Sequence, residues 1–358
     1  MIAVFFGGRS CEHDISIITG LQALSACRRE AVGVYIDSDG VWWAGDRFDS
    51  VNAVKQGRFG GKRVHLRPSE PYLYCKNKRL YKIDAALLCM HGMLGEDGCM
   101  QGLLEMCGIP YTGSGVLASA VGMNKLFSKK IFESAGLSVL PYSRIMRTEY
   151  ESDAYAAVKP LIEKLGFPMI IKPCNLGSSI GITIAKDVNS LYTSLRVAFE
   201  WDDIVIAEKA LENFIEVNCA VIGDGEGDAL PSDTEQPVGW TEFLSFDDKY
   251  SGDVKATRHK IPADVGTEMN EKIQELAVTA YNAVGCEGVA RVDFLVKDGE
   301  AYVNEINTIP GSLANPLFRR DTEFSKLIDK MLAAAALRKA RFDRLKHAYT
   351  PTTPIIGK

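Results

Sequence analysis

The chain has 358 residues, 46% hydrophobic and 24% charged, with a formal net charge of -5. This is the make-up of a soluble globular protein with room for two or three domains. It excludes the basic field a nucleic-acid binder needs, and no apolar run approaches the length of a membrane span.

Nine cysteines fall at scattered positions with no C-x-x-C pair, which favours reduced thiols in a cytosol over zinc or disulfides. The apolar start Met1–Phe6 meets Glu12 and Asp14 too soon for a signal peptide. A cytoplasmic location is expected.

In chain order, a first strand runs into a Gly7-Gly8 turn and a helix in which Ile15, Ile18, Leu21 and Leu24 recur at helical spacing. Free N–H groups at such a turn form an anion pocket, and Glu12 beside it offers a counter-charge for an ammonium, so a zwitterionic amino acid suits the place. Helix capping by Ser10 or Asp14 would use the same residues. Strands at 31–36 and 83–89 and a helix near 101–106 complete an open α/β domain. After the second of these strands comes His91-Gly-Met-Leu-Gly-Glu-Asp-Gly98, whose glycines let backbone approach a ligand. His91 equally fits a structural strand-end histidine.

The stretch 112–115 breaks this pattern, and a helix from about Asn124 opens a second, α+β unit. Lys125 sits in its first turn, where the helix dipole disfavours a cation. Two short antiparallel strands, 168–172 and 180–184, flank Cys174-Asn-Leu-Gly-Ser-Ser-Ile-Gly181, and a helix follows near 190–199. Gly177, Ser178 and Ser179 expose consecutive N–H groups that suit an anion, although a tight hairpin turn would need the same residues. The loop lacks the G-K-[ST] ending of a Walker site. Lys172 ends the apolar strand before it, where a buried ammonium needs an anionic partner. Two lysines so placed point to phosphate.

Strands at 204–208 and 217–222 open a third block. The strand end Glu208-Lys209-Ala210-Leu211 offers backbone edges to a planar base, with Glu216 a candidate for ribose hydroxyls. Residues 223–251, rich in Gly, Pro and Asp, are expected to form a long functional loop or a disordered insertion. The expected division is 1–121, 122–205 and 206–345, with a flexible tail at 346–358. The basic cluster Arg338, Lys339, Arg341, Arg344 and Lys346 reads as a solvated helix end.

The third block also holds a hairpin from Ala290 to Phe294 and from Val303 to Asn307, in which Arg291, Asp293, Glu305 and Asn307 occupy the wet face of two apolar strands. An odd-length loop at Lys297–Glu300, with Gly299 at positive φ, would set Asp293 opposite Glu305 and Arg291 opposite Asn307. Facing carboxylates repel, and a hard cation reverses the penalty. A small set of oxygen ligands suits Mg²⁺, which completes its shell with water and phosphate. A surface hairpin neutralised by Arg291 alone fits the same residues.

Taken in order from Ala3 to about Leu332, these segments resemble the D-alanine:D-alanine ligases of the ATP-grasp superfamily. The resemblance rests on Gly7–Ser16, His91–Gly98, Pro110–Gly115, Lys172-Pro with Gly177–Gly181, and Arg291-x-Asp293 with Asn304–Gly311. It implies a three-domain ATP-grasp architecture, α/β and α+β, with an N-terminal open α/β domain. ATP would lie between the second and third domains, with Lys125, Lys172, Ser178 and Ser179 on its phosphates, Glu208 to Leu211 on adenine and Glu216 on ribose. Two Mg²⁺ ions, or Mn²⁺ in their place, would rest on Asp293, Glu305 and Asn307. Glu12 would grip the ammonium of the first D-alanine, and His91 would be among the substrate-binding residues. Arg291 and the Gly311 N–H would stabilise an oxyanion when the second attacks. Lys249 on ATP, and Tyr250 joined through Ser178 to Glu12, would belong to a lid at 245–252. The resemblance also implies a cytoplasmic homodimer with no nucleic-acid or membrane partner, serving peptidoglycan synthesis.

The chain departs from that pattern at Pro316, where the family carries a hydroxyl for the second substrate's carboxylate, leaving Ser312 and Asn315 as substitutes. It departs also at Leu176, where a polar residue is common, and at 228–240. Alternatives are therefore a ligase that takes D-serine or D-lactate second, and a nucleotide-binding regulator without chemistry.

Overall fold

The computed structural model describes residues 1–45, 47–238, 258–320 and 322–347. Three sheets with three apolar clusters organise the chain, and a small three-stranded sheet is appended to the first.

The first sheet has the order β4-β3-β2-β1-β8. At its centre β1 (Ile2–Gly7) runs parallel to β2 (Ala31–Ile36) and β8 (Ala85–Leu88). Near-continuous apolar strands of this kind are buried on both faces. β3 (Trp42–Gly45) and β4 (Lys62–Arg63) extend one edge, while β5 (His65–Arg67), β6 (Glu70–Cys75) and β7 (Lys78–Lys82) form the appended sheet.

Helix α1 (His13–Ala26) follows β1, but its buried face is Ser16, Ile17, Thr19, Gly20 and Ala23, and the expected Ile18 points outward. Close packing and polar ties decide this face. A Cβ on Gly20 would lie 2.4 Å from Phe6, and the Ser16 hydroxyl accepts from Gly7 N and donates to the Cys89 carbonyl. Apolar spacing alone carries neither signal.

The central sheet has the order β11-β10-β12-β9, from β9 (Tyr142–Met146), β10 (Met169–Pro173), β11 (Thr183–Ala185) and β12 (Ile204–Lys209). The two strands flanking the glycine-serine loop are antiparallel, with Met169 opposite Ala185. The strand expected to open the third block, β12, instead pairs with β10 and β9. The helix Lys125–Ser134 that precedes this sheet is capped by Asn124, which accepts from Phe127 N.

The last sheet has the order β15-β14-β13-β16-β17, from β13 (Ile215–Gly223), β14 (Leu230–Val238), β15 (Arg258–Lys260), β16 (Gly288–Lys297) and β17 (Glu300–Asn307). β14 lies inside the stretch read as loop or disorder. It escapes an apolar pattern because its buried residues are Ser232, Thr234 and Glu235, and the Ser232 hydroxyl accepts from Ala220 N where the ladder shifts register. The basic helix end is also not simply solvated. On the helix Phe324–Asp343, Arg338 donates to the Tyr111 and Gly113 carbonyls and lies 3.4 Å from Glu287, to which Arg341 also pairs at 2.9 Å. Distance in sequence hid these partners. No described helix is long and apolar enough to cross a membrane.

Candidate active site

A cavity of about 1080 Å³ opens where the three sheets meet. Its wall includes Ile170, Ile184, Ala210, Leu211, Phe214 and Leu295 together with lysines, carboxylates and glycine backbone.

The hairpin β16–β17 supplies the carboxylates. Asp293 faces Glu305 and Arg291 faces Asn307, as the sequence pattern predicts. The route to that register differs from the expectation. The turn is a two-residue Asp298-Gly299 loop with both φ positive, which matches the right-handed strand twist. The odd count comes from a bulge, since Phe294 pairs with Val303 while Asp293 pairs with Glu305, leaving Asn304 as the extra residue. Val303 and Ile306 both face the apolar core, and Asn304, Glu305 and Asn307 all line the cavity.

Each carboxylate is met by a cation. Asp293 accepts from Arg291 at 2.6 and 2.7 Å and from Asn307 Nδ2 at 3.0 Å. Burial pushes Asp293 above the usual carboxylate range, Arg291 pulls it back, and Glu305 adds to the rise. Glu305 lies 3.2 Å from Lys125 Nζ, which also donates to the Leu176 carbonyl at 2.7 Å. Among the described residues no group of three or more His, Cys, Asp and Glu side chains is arranged for a metal. Two carboxylates and one amide nevertheless fit a hard cation that completes its shell from outside the protein.

Lys172 Nζ donates to Glu208 at 2.9 Å and to Asn304 Oδ1 at 3.2 Å. The Glu208 side chain therefore points into the protein, where Lys129 approaches it at 3.2 Å from the opposite side. Burial opposes ionisation of Glu208, but the two lysines outweigh it and hold the carboxyl below its ordinary range. Lys129 is fully buried and was not recognised in the sequence, since a lysine one turn into an amphipathic helix looks like a solvated one. Lys209 turns away to the Phe167 carbonyl. Ala210, Leu211 and Glu216 line the cavity.

Glu12 is the meeting point of the first sheet and the glycine-serine loop. Ser178 donates to its carboxylate in a short contact, and both Ser178 and Ser179 adopt positive φ, 51° and 58°. Side chains are excluded around it, for a Cβ on Gly92 or Gly177 would lie 2.7 or 2.8 Å from Glu12 Oε2. Burial raises the Glu12 carboxyl, and so does Glu96. Glu96, a second acid lining the cavity, carries no sequence signal beyond its motif, although its position four residues after Gly92 allows it to accept from that backbone N–H at 3.0 Å.

His91 and Gly311 line the cavity, but Ser312 and Asn315 do not. Ser312, Leu313 and Ala314 form a left-handed run with φ of 49°, 51° and 52°, a conformation costing roughly 1–2 kcal/mol per residue. Leu313 and Ala314 are held in the apolar core of the first sheet. Pro316 is exposed. Lys249 and Tyr250, with the rest of the expected lid, lie outside the described residues.

A carboxylate hairpin and a lysine-bearing sheet closing on one cleft define a protein of the ATP-grasp class. Family models for the N-terminus and C-terminus of D-ala D-ala ligase match residues 1–114 and 131–333. The D-alanine--D-alanine ligase of Chloroherpeton thalassium is 38% identical, with 93% of this chain and 95% of that protein aligned. The structure of the D-alanine-D-alanine ligase from Coxiella burnetii superposes with a TM-score of 0.82 at 25% identity, covering 96% of this chain and 95% of that one. The VanG D-Ala:D-Ser ligase from Enterococcus faecalis superposes at 0.79 with 30% identity, covering 93% and 98%. The chain belongs to the D-alanine–D-alanine ligase family.

Proposed function

We propose that this protein joins two D-alanine molecules at the expense of ATP, giving the D-alanyl-D-alanine dipeptide used in peptidoglycan synthesis, with ADP and phosphate released. The observation that carries the reading is the contact between Glu12 and Ser178, which sets an ammonium-binding carboxylate against a phosphate-binding loop inside one cavity.

In this reading the apolar wall residues Ala210 and Leu211 take adenine, and Lys125 and Lys172 take the phosphates. Asp293, Glu305 and Asn307 would hold Mg²⁺, or Mn²⁺, which when bound would neutralise phosphate charge. Glu12 holds the ammonium of the first D-alanine so that its carboxylate reaches that group and becomes an acyl phosphate. The neutral amine of the second D-alanine attacks the acyl carbon, loses a proton and expels phosphate. Arg291 and the Gly311 N–H face the oxyanion that forms on the way. An acyl phosphate must be kept from water, the part we assign to the segment carrying Lys249 and Tyr250. The three sheets correspond to the three working domains, and the active species is a cytoplasmic homodimer.

ADP release measured with single amino acids, followed by product mass, tests the reading. D-alanine stimulates release and the dipeptide accumulates. Stimulation only by another amino acid or a hydroxy acid would overturn the substrate assignment. The likeness to the VanG ligase and the exposed Pro316 support D-serine as the second reading, which a mixed dipeptide in the mass spectrum would reveal.

A further inference from the structure

Thr19 is wholly buried on α1 and does not line the cavity, yet its hydroxyl touches two groups that shape it. Thr19 Oγ1 lies 2.8 Å from His91 Nε2 and 3.1 Å from the backbone nitrogen of Ser312, while His91 Nδ1 lies 2.8 Å from the Ile309 carbonyl. Donor and acceptor roles in this ring are fixed by its ends. A carbonyl only accepts, so Nδ1 carries a proton. The Ser312 amide only donates, so it takes one lone pair of Thr19 and leaves the hydroxyl proton free to go to Nε2. With that proton directed at Nε2, a singly protonated His91 gives every member of the ring its partner.

We propose that Thr19 is a positioning residue for the second-substrate side of the site, acting through a neutral His91 and the Ser312 N–H to hold the Ile309–Ala314 segment. The inference rests on the ligase reading above. The segment needs such a hold. It carries Gly311 at the cavity wall and then turns through three consecutive left-handed residues, a path that persists only where surrounding contacts over-determine it. Leu313 and Ala314 anchor its far end in the first core, and the Thr19 ring anchors the near end. A helix of the first domain thereby sets the backbone that the third domain presents to the reacting carbon.

The test compares Thr19→Val, which keeps the shape and removes the hydroxyl, with Thr19→Ser, which keeps the hydroxyl. The valine variant is expected to raise the KM for the second amino acid roughly tenfold, the cost of stranding buried partners, with the KM for ATP unchanged. Amide exchange at Ser312 should quicken in Thr19→Val and stay protected in Thr19→Ser. Equal kinetics and equal Ser312 protection in wild type and Thr19→Val would overturn the proposal. Imidazole nitrogen resonances of the wild-type protein supply a readout independent of turnover and of the variants' folding. Nδ1 protonated and Nε2 bare is expected for His91, and the reverse tautomer or a doubly protonated ring overturns it. A protein with no ligase activity but an intact Ser312–Thr19–His91 ring would refute the ligase reading while leaving the ring itself in place.

Discussion

The Ser178 hydroxyl donates to the Glu12 carboxylate across a sequence separation of 166 residues. One side of that bond belongs to the turn after the first strand and the other to the loop between two strands of the central sheet. On the proposed reading, binding of an amino acid and positioning of a phosphoryl group would be coupled at this single carboxylate.

Replacing that carboxylate separates the two tasks. Glu12→Gln keeps a polar group for Ser178 but removes the charge that meets an ammonium. Truncating one partner of a buried charge pair costs about 2–5 kcal/mol. The KM for D-alanine is expected to rise by at least 30-fold with nucleotide affinity nearly unchanged, as steady-state kinetics and nucleotide titration would show. Parallel loss of both would mean that Glu12 supports the loop and not the substrate.

A pH dependence follows from the neighbour of Glu12. Burial first, and Glu96 second, raise its carboxyl above the ordinary value. Only the ionised form grips an ammonium, so kcat/KM for D-alanine falls as pH drops through the raised value. Glu96→Gln removes the repelling charge, lowers the Glu12 pKa and moves the acid limb to lower pH. An unmoved or upward-moved limb in the pH profile would contradict this assignment.

Lys129 and Lys172 share the Glu208 carboxylate. Lys129→Met preserves volume and leaves Glu208 one cation instead of two. Thermal denaturation is expected to register a loss of about 2 kcal/mol, less than for a pair broken outright because Lys172 remains. Glu208 then leans wholly on Lys172, so the KM for ATP rises while that for D-alanine holds.

Asp293→Asn addresses the proposed metal site. The variant keeps the hydrogen bond to Asn307 through its amide oxygen but loses the anionic donor. Electron paramagnetic resonance of Mn²⁺ with nucleotide present should show weaker ion binding, and turnover should fall at least a hundredfold. Unaltered ion binding with lost turnover would point to disruption of Arg291 instead.

Much of the fold was legible because it rests on local regularities. The apolar strands β1, β2, β8, β10 and β12 announce themselves, and the polar residues placed at period two in β16 and β17 predict which side chains face each other. What stayed hidden depends on partners distant in the chain. β14 buries hydroxyls and a carboxylate, Arg338 reaches Tyr111 and Gly113, and Thr19 meets a loop 293 residues away. The bulge had a visible trace after all. Core-facing Ala301 and Val303 keep strict alternation, but the next core-facing residue is Ile306, three positions on instead of two.

That slip of one position is selective in what it contributes. Were Asn304 deleted, Glu305 would follow Val303 directly and still oppose Asp293, and Asn307 would still oppose Arg291, so the carboxylate face would survive intact. Only the amide that accepts from Lys172 would vanish. The extra residue thus serves as a tether rather than as a shaper of the hairpin, tying the lysine of one sheet to the acids of the next, a common, pre-aligned floor on which the proposed reading would seat phosphate and ion.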